Sequence, residues 1–329
     1  MSDLTVTPHS DAPLNDAADL YRQISAALDT TVIGQSDIKR EMIIALLSGG
    51  HILMEGVPGI AKTLLAKTLA KALSCEFKRI QFTPDLMPSD VIGTNVFDPK
   101  SNQFNVKRGP IFTHIALIDE INRAPAKTQS ALLEVMEERQ ITIDGTRYLL
   151  PEPFMVMATQ NPIEYEGTYP LPEAQLDRFM FKLIVPYPSA SEEEQVLRAY
   201  HGGFDAHQID QIKIEKPCTP EMIARARHLI RQIVVDDGIL KYITEVVRKT
   251  RETSGIMVGA SPRATINLLL AAKTQAALAN RTFVIPDDVK DLAPAVLRHR
   301  LVLQPETEME GLRPDDMIRD VLNTVPVPR

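Results

Sequence analysis

The sequence predicts an α/β protein in two parts: a three-layer αβα domain built on a five-stranded parallel sheet, followed by an all-helical domain. Three observations carry this prediction. Short apolar runs at 51–55, 77–82, 115–118, 154–159 and 181–185 alternate with helical periodicity, the pattern of parallel strands covered on both faces. A glycine-bearing loop, 56–63, joins the first of these runs to a helical stretch. After Pro186-Tyr187-Pro188 the strand-like runs stop, and helical stretches follow at 220–234, 239–253, 262–279 and from Asp287.

The length of 329 residues suits about two domains. With 44% hydrophobic and 24% charged residues, the composition is that of a soluble globular protein. Residues 1–19, rich in Ser, Thr, Pro, Asn and Asp, read as a flexible tail and lack the layout of a secretory signal. Apolar residues at helical spacing from Leu20 to Leu47, interrupted by Val32-Ile33-Gly34-Gln35, predict two helices. The αβα unit is expected over 20–185, and the linker and helical domain over 186–329. Two hairpins interrupt the first unit: 95–106, with turn residues Asp98-Pro99 and Ser101-Asn102, and 140–149 around Asp144-Gly145. No run of about 18 apolar residues occurs, so no membrane insertion is expected. Cys75 and Cys218 match no metal or redox spacing, which fits a reducing, cytoplasmic setting. A net charge of −7 argues against general attraction to nucleic acid, leaving only a local basic loop to provide it.

The loop Gly56-Val57-Pro58-Gly59-Ile60-Ala61-Lys62-Thr63, followed by Leu64, lies between a strand and a helix. That order suits phosphates, which need inward-pointing backbone N–H groups above a helix N-terminus. Lys62 would give a charge to the outer phosphates and Thr63 a hydroxyl to Mg²⁺, so ATP and Mg²⁺ are the expected cofactors. The plainer reading is a glycine turn beside a surface lysine. Ala61 stands where the motif usually has a second glycine, which requires a negative φ or accepted strain.

The run Ile115-Ala116-Leu117-Ile118 ends in Asp119-Glu120, at the strand end where open α/β sheets bind ligands. Adjacent carboxylates repel unless a cation compensates. Asp119 therefore reads as a metal-holding group and Glu120 as the base for an attacking water. Asn161, after the strand 154–159, either orients that water or merely forms a turn before Pro162. Arg178 either pairs with Asp177 or Glu173, or serves as an arginine finger for a neighbouring subunit's γ-phosphate. Ser261 and Pro262 suit a helix start, which puts Arg263 in a first turn where the dipole disfavours a cation. An anion should offset that cost, and nucleotide phosphate is the candidate.

Taken together, Gly56-Val57-Pro58-Gly59, Asp119-Glu120-Ile121-Asn122-Arg123-Ala124, Ala158-Thr159-Gln160-Asn161-Pro162 and Leu171-Pro172-Glu173-Ala174-Gln175-Leu176-Asp177-Arg178-Phe179 resemble the AAA+ ATPases, and within them the MoxR family. The resemblance covers nearly everything from Leu20 onward. It implies a P-loop NTPase fold with a helical lid, Walker A at 56–63, Walker B at 115–120, sensor 1 at Asn161, a finger at Arg178 and sensor 2 at Arg263. Similarity at Val32-Ile33-Gly34-Gln35 implies an adenine contact between the domains, at Ile33 and Gly34. It further implies hexameric rings with the hairpins facing the pore or ring surface. The implied role is a chaperone-like remodeller that matures or inserts cofactors into partner proteins, often ones with von Willebrand factor A domains. The same engine admits three rivals. One is a DNA-acting motor using Lys100, Lys107 and Arg108, against which the acidic net charge weighs. Another is a subunit like the magnesium-chelatase ATPase. The last is a scaffold without turnover, disfavoured by Glu120 and Arg178.

Overall fold

The computed structural model describes residues 15–57, 59–100, 102–161, 168–211, 214 and 217–328. Two helices open it, α1 (Asn15–Asp29) and α2 (Ser36–Ser48). The first begins inside the stretch expected to be a loose tail: residues 15–19 are helical, and Ala17 and Ala18 are buried. The buried stripe Ala17, Leu20, Ile24 and Leu28 keeps helical spacing, but alanine among Asn and Asp gives the first turn no apolar signal. Residues 1–14 of the expected tail lie outside the described residues.

The sheet domain then runs β1 (Ile52–Glu55), α3 (Lys62–Ala72), β2 (Phe77–Gln81), α4 (Pro88–Ile92), β3 (Gly93–Asp98), β4 (Gln103–Arg108), β5 (Ile115–Asp119), α5 (Ala126–Glu138), β6 (Gln140–Ile143), β7 (Thr146–Leu149), β8 (Met155–Gln160), α6 (Glu173–Leu176) and β9 (Phe181–Ile184). Five strands form one parallel sheet in the order β2-β5-β8-β1-β9. Strands β3 and β4, and β6 and β7, are the two hairpins. The first hairpin is longer than the expected 95–106, because Gly93 pairs with Arg108; Ser101, in its expected turn, lies outside the described residues.

Alternation along the central strands feeds two cores. Ile52, Met54, Ile115, Leu117, Met155 and Met157 face one cluster; Leu53, Ala116, Ile118, Val156 and Ala158 face the other, with Leu132 and Leu133 of α5. The parallel register aligns the carboxyl ends, with Gln81 opposite Asp119 and Glu55 opposite Gln160.

Beyond the sheet lie α7 (Ala190–His201), α8 (Pro220–Arg231), α9 (Asp237–Lys249), β10 (Ile256–Val258), α10 (Pro262–Leu278), α11 (Pro286–Leu297), β11 (Val302–Leu303), α12 (Pro305–Met309) and α13 (Pro314–Thr324). Thr219 and Ser261 cap α8 and α10 by accepting backbone N–H groups, with proline next in line. The antiparallel pair β10–β11 has too few residues for a period-two signal. The first core does not stop at the sheet domain. Through α1 and α2 it continues into Ile230, Tyr242, Leu268, Leu292 and Ile318 of the helical part, and α1 packs on α3, α8 and α10.

Candidate functional site

The loop after β1 crosses the carboxyl edge of the sheet. A Cβ on Gly56 would lie 2.5 Å from Ile60 Cδ1 and 2.7 Å from the Val185 carbonyl, so only glycine fits there. Gly59 has open space but a φ of +86°, which favours glycine for conformation alone. Pro58 lies outside the described residues. Ala61 takes the strained alternative: at φ 63°, ψ 17° it sits in the left-handed region, at a cost of about 1–2 kcal/mol. Buried Ile60 and partly buried Val57 and Leu64 anchor the loop in the core.

The carbonyl of Ala61 accepts the first helical bond of α3, from Leu65 N at 2.9 Å. The N–H groups of Lys62, Thr63 and Leu64 therefore precede the ladder. No side chain caps them and no carboxylate stands in the first turn, unlike the capped α8 and α10. This helix start is left with donors and the positive dipole end, which suits phosphate. Lys62 Nζ donates to the Gly56 carbonyl at 2.6 Å. Burial lowers its pKa, and the carboxylates of Asp119, Glu120 and Glu55 oppose that shift.

Ile33 and Gly34 occupy the turn between α1 and α2, with Gly34 at φ +68°. Nearly buried Lys39 holds this turn, donating to the Val32 carbonyl at 2.6 Å and pairing with Asp29 at 2.5 Å. Gln35 Nε2 reaches the Ile60 carbonyl at 3.3 Å, tying the turn to the phosphate loop.

Asp119 closes β5 on the α3 face of the sheet. Its Oδ1 accepts from Thr159 Oγ1 at 3.1 Å and its Oδ2 from Arg79 Nε at 2.5 Å. Glu120 is left-handed, at φ 57°, ψ 52°, and its N–H donates to Thr159 Oγ1 at 3.0 Å. Its carboxylate accepts from Gln81 Nε2 at 2.8 Å and pairs with Arg123 Nε at 3.0 Å. The cation that two adjacent carboxylates require is thus met within the chain by Arg79 and Arg123. A carboxylate offers about four acceptor sites, so Asp119 still has capacity for metal-bound water, with Thr63 on the facing helix start. The residues fit Mg²⁺ and a polyphosphate.

Asn161 follows β8 directly and is buried. Arg178 donates to the Leu133 carbonyl of α5 at 2.5 Å, not to Asp177 or Glu173. Asp177 is engaged elsewhere, by Arg300 Nε at 2.7 Å and Ser261 Oγ at 2.8 Å. Arg263 pairs with Glu137 at 2.8 Å, so in this structure Glu137 supplies the anion expected near that helix start. Sequence reasoning passed over Arg79, Gln81, Thr159 and Arg300. For the first two a signal existed: Arg79 and Gln81 share one face of β2, two positions apart, in a strand less apolar than its neighbours.

The model for the ATPase family associated with various cellular activities matches residues 51–181, and the AAA lid domain model matches 248–321. YeaC of Bacillus subtilis is 46% identical over 92% of both chains. The chaperone MoxR1 of Mycobacterium tuberculosis is 42% identical over 99% of this chain and 88% of its own length. The chain belongs to the MoxR family of AAA+ ATPases. Protein MoxR of Methylorubrum extorquens is 29% identical over 97% of this chain and 98% of its own. A crystal structure from Cytophaga hutchinsonii, assigned as an ATPase, superposes with a TM-score of 0.88 at 42% identity, covering 96% of this chain and 97% of that one. In this MoxR-family chain no helix among the described residues is long and apolar enough to cross a membrane.

Proposed function

We propose that the chain is a cytoplasmic, Mg²⁺-dependent ATPase that works as a hexameric ring and remodels partner proteins. The observation that carries this is the uncapped start of α3, with Lys62 facing the Asp119–Glu120 pair at the aligned strand ends. Lys62 and the backbone N–H groups of Gly59 to Leu64 would hold the phosphates, Thr63 and Asp119 the metal, and Ile33 and Gly34 the base. When bound, Mg²⁺ and ATP supply the anhydride bond and a divalent charge that draws electrons from it. Glu120, with Gln81 and Arg123 holding its Oε2, would accept a proton on Oε1 from water that Asn161 orients. Arg263 leaves Glu137 for the phosphates of its own site, and Arg178 enters the neighbour's. Such a finger is worth about 10³–10⁵ in turnover.

The substrate side is supported by the first hairpin, whose Phe97 and Phe104 are 46% and 70% exposed with ring centroids 5.3 Å apart. We assign these rings to contact with a partner protein at the pore or ring face, with von Willebrand factor A domain proteins as the first partners to try and cofactor insertion as the work done. ATP binding and steady-state hydrolysis, measured across protein concentration with light scattering, test the reading. Lys62→Ala should lose ATP binding. Glu120→Gln should bind ATP yet turn over about 10²–10⁴-fold more slowly. Arg178→Ala should bind normally but stall in a ring-sized particle. Tight ATP binding by the lysine variant, or concentration-independent turnover by a monomer, would overturn it.

A further inference from the structure

We infer that Arg300, with Asp177, is a positioning residue for Arg178: the helical domain sets where that guanidinium points. This rests on reading Arg178 as a finger. The Arg300 side chain is 1% exposed. Its NH2 donates to the carbonyls of Asp177 at 3.0 Å and Phe179 at 2.6 Å, the two residues flanking Arg178. Nε takes Asp177 Oδ1 at 2.7 Å, and NH1 reaches the carbonyls of Met180, at 3.2 Å, and Val296. The two residues before it in sequence extend the grip: His299 Nε2 bonds the Phe179 carbonyl at 3.0 Å and Arg298 NH1 donates to the Lys182 carbonyl at 3.1 Å.

The same backbone is held on its other side by the sheet domain. The N–H groups of Arg178, Phe179 and Met180 donate to Gln175, Leu176 and His51 carbonyls at 3.2, 3.0 and 2.8 Å. The peptide units on either side of Arg178, 177–178 and 179–180, are therefore strung between the two domains, donors to one and acceptors to the other. Asp177 Oδ2 adds a second tie, accepting from Ser261 Oγ at the start of α10, two residues before Arg263. A shift of the helical domain tilts these peptides and draws Arg178 with them, away from the Leu133 carbonyl that holds its guanidinium in this structure. A buried guanidinium with this many fixed acceptors has no low-cost alternative pose, so the linkage is stiff. Arg263 in one nucleotide site and Arg178 in the next then move as one piece.

The test uses the full chain with Asp177→Asn, Arg300→Lys, Arg178→Ala and the Asp177→Asn/Arg178→Ala double variant, each checked by thermal unfolding and assayed well below its midpoint. Asparagine keeps the shape of Asp177, and lysine keeps the charge of Arg300 without its fork. The expected result for both single changes is an ATP Kd within about 2-fold of wild type, a kcat reduced at least about 10-fold, and a Hill coefficient falling towards one. The double variant should be no slower than Arg178→Ala alone, the non-additivity of residues acting through one another. A purely structural role would lower the midpoint and leave kcat and cooperativity in place, which overturns the inference. Losses that multiply in the double variant also overturn it. Arg178→Ala inactive beside fully active Asp177→Asn and Arg300→Lys refutes the positioning role alone, whereas an active Arg178→Ala refutes the finger and the inference with it. Should Asp177→Asn fail to fold, Arg300→Lys decides.

Discussion

Among the described residues, Asn102, Asp144 and Asn280 have positive φ in turns that their side chains tolerate, and Ser74 and Arg139 have it where α3 and α5 end, whereas Gln35, Ala61 and Glu120 have it in the loops of the candidate site. Those three stand in the turn before α2, at the end of the phosphate loop, and at the candidate base. Strain of about 1–3 kcal/mol persists at such positions only where the surroundings enforce it. At Ala61 the strain is removable. Ala61→Gly should raise the unfolding free energy by on the order of 1 kcal/mol, less the entropy that glycine gains when unfolded, as read from urea midpoints. A lower midpoint would mean that the loop does not pay for the methyl group. The placement of Lys62 and Thr63 at a helix start and of Asp119 and Glu120 at a strand end was legible, because a loop after one apolar run and two carboxylates after another mark them in the sequence. That Arg79, Gln81 and Thr159 are the partners of these carboxylates was not, since which strand lies beside β5 depends on sheet order, and sheet order is not written locally.

At the scale of elements, five parallel strands follow from short continuous apolar runs, and most helices from period 3.6, in the sequence. What escaped were the features that carry no period: the alanine-rich first turn of α1 and the two short strands β10 and β11. Helix α1 matters more than its place at the head of the described chain suggests. Ile24 is fully buried among residues of both domains, so Ile24→Ala should cost about 2–5 kcal/mol in denaturant unfolding, as a core residue does. A cost below about 1 kcal/mol, typical of a surface helix, would show that α1 does not bridge the domains.

For the whole molecule, buried His51 and partly buried Glu41 pull stability in opposite directions with pH. His51 accepts from Val156 N at 2.9 Å through Nδ1 and bonds the Met136 carbonyl at 3.1 Å through Nε2, so it is buried neutral, and burial lowers its pKa from 6.5 to about 4. Its contribution is complete above 6.5 and is lost as pH falls towards 4. Glu41, in α2, is pushed by burial from 4.5 up to about 7, against the opposing charge of Arg298. Protonation favours its folded form, so its contribution is complete below 4.5 and is lost as pH rises towards 7. Glu41→Gln should therefore gain on the order of 2 kcal/mol over wild type at pH 8 and almost nothing at pH 4.5, from urea midpoints at the two pH values. An equal difference at both would locate the effect in packing instead. The bridging position of α1 has one more consequence, for the chain's own birth. Its apolar face is made well before α8 and α10, which cover part of it and begin roughly 190 and 230 residues later, about 10–50 s of synthesis at ordinary rates. Until then only α2 and α3 are at hand to cover it, so this part of the core closes late on the nascent chain.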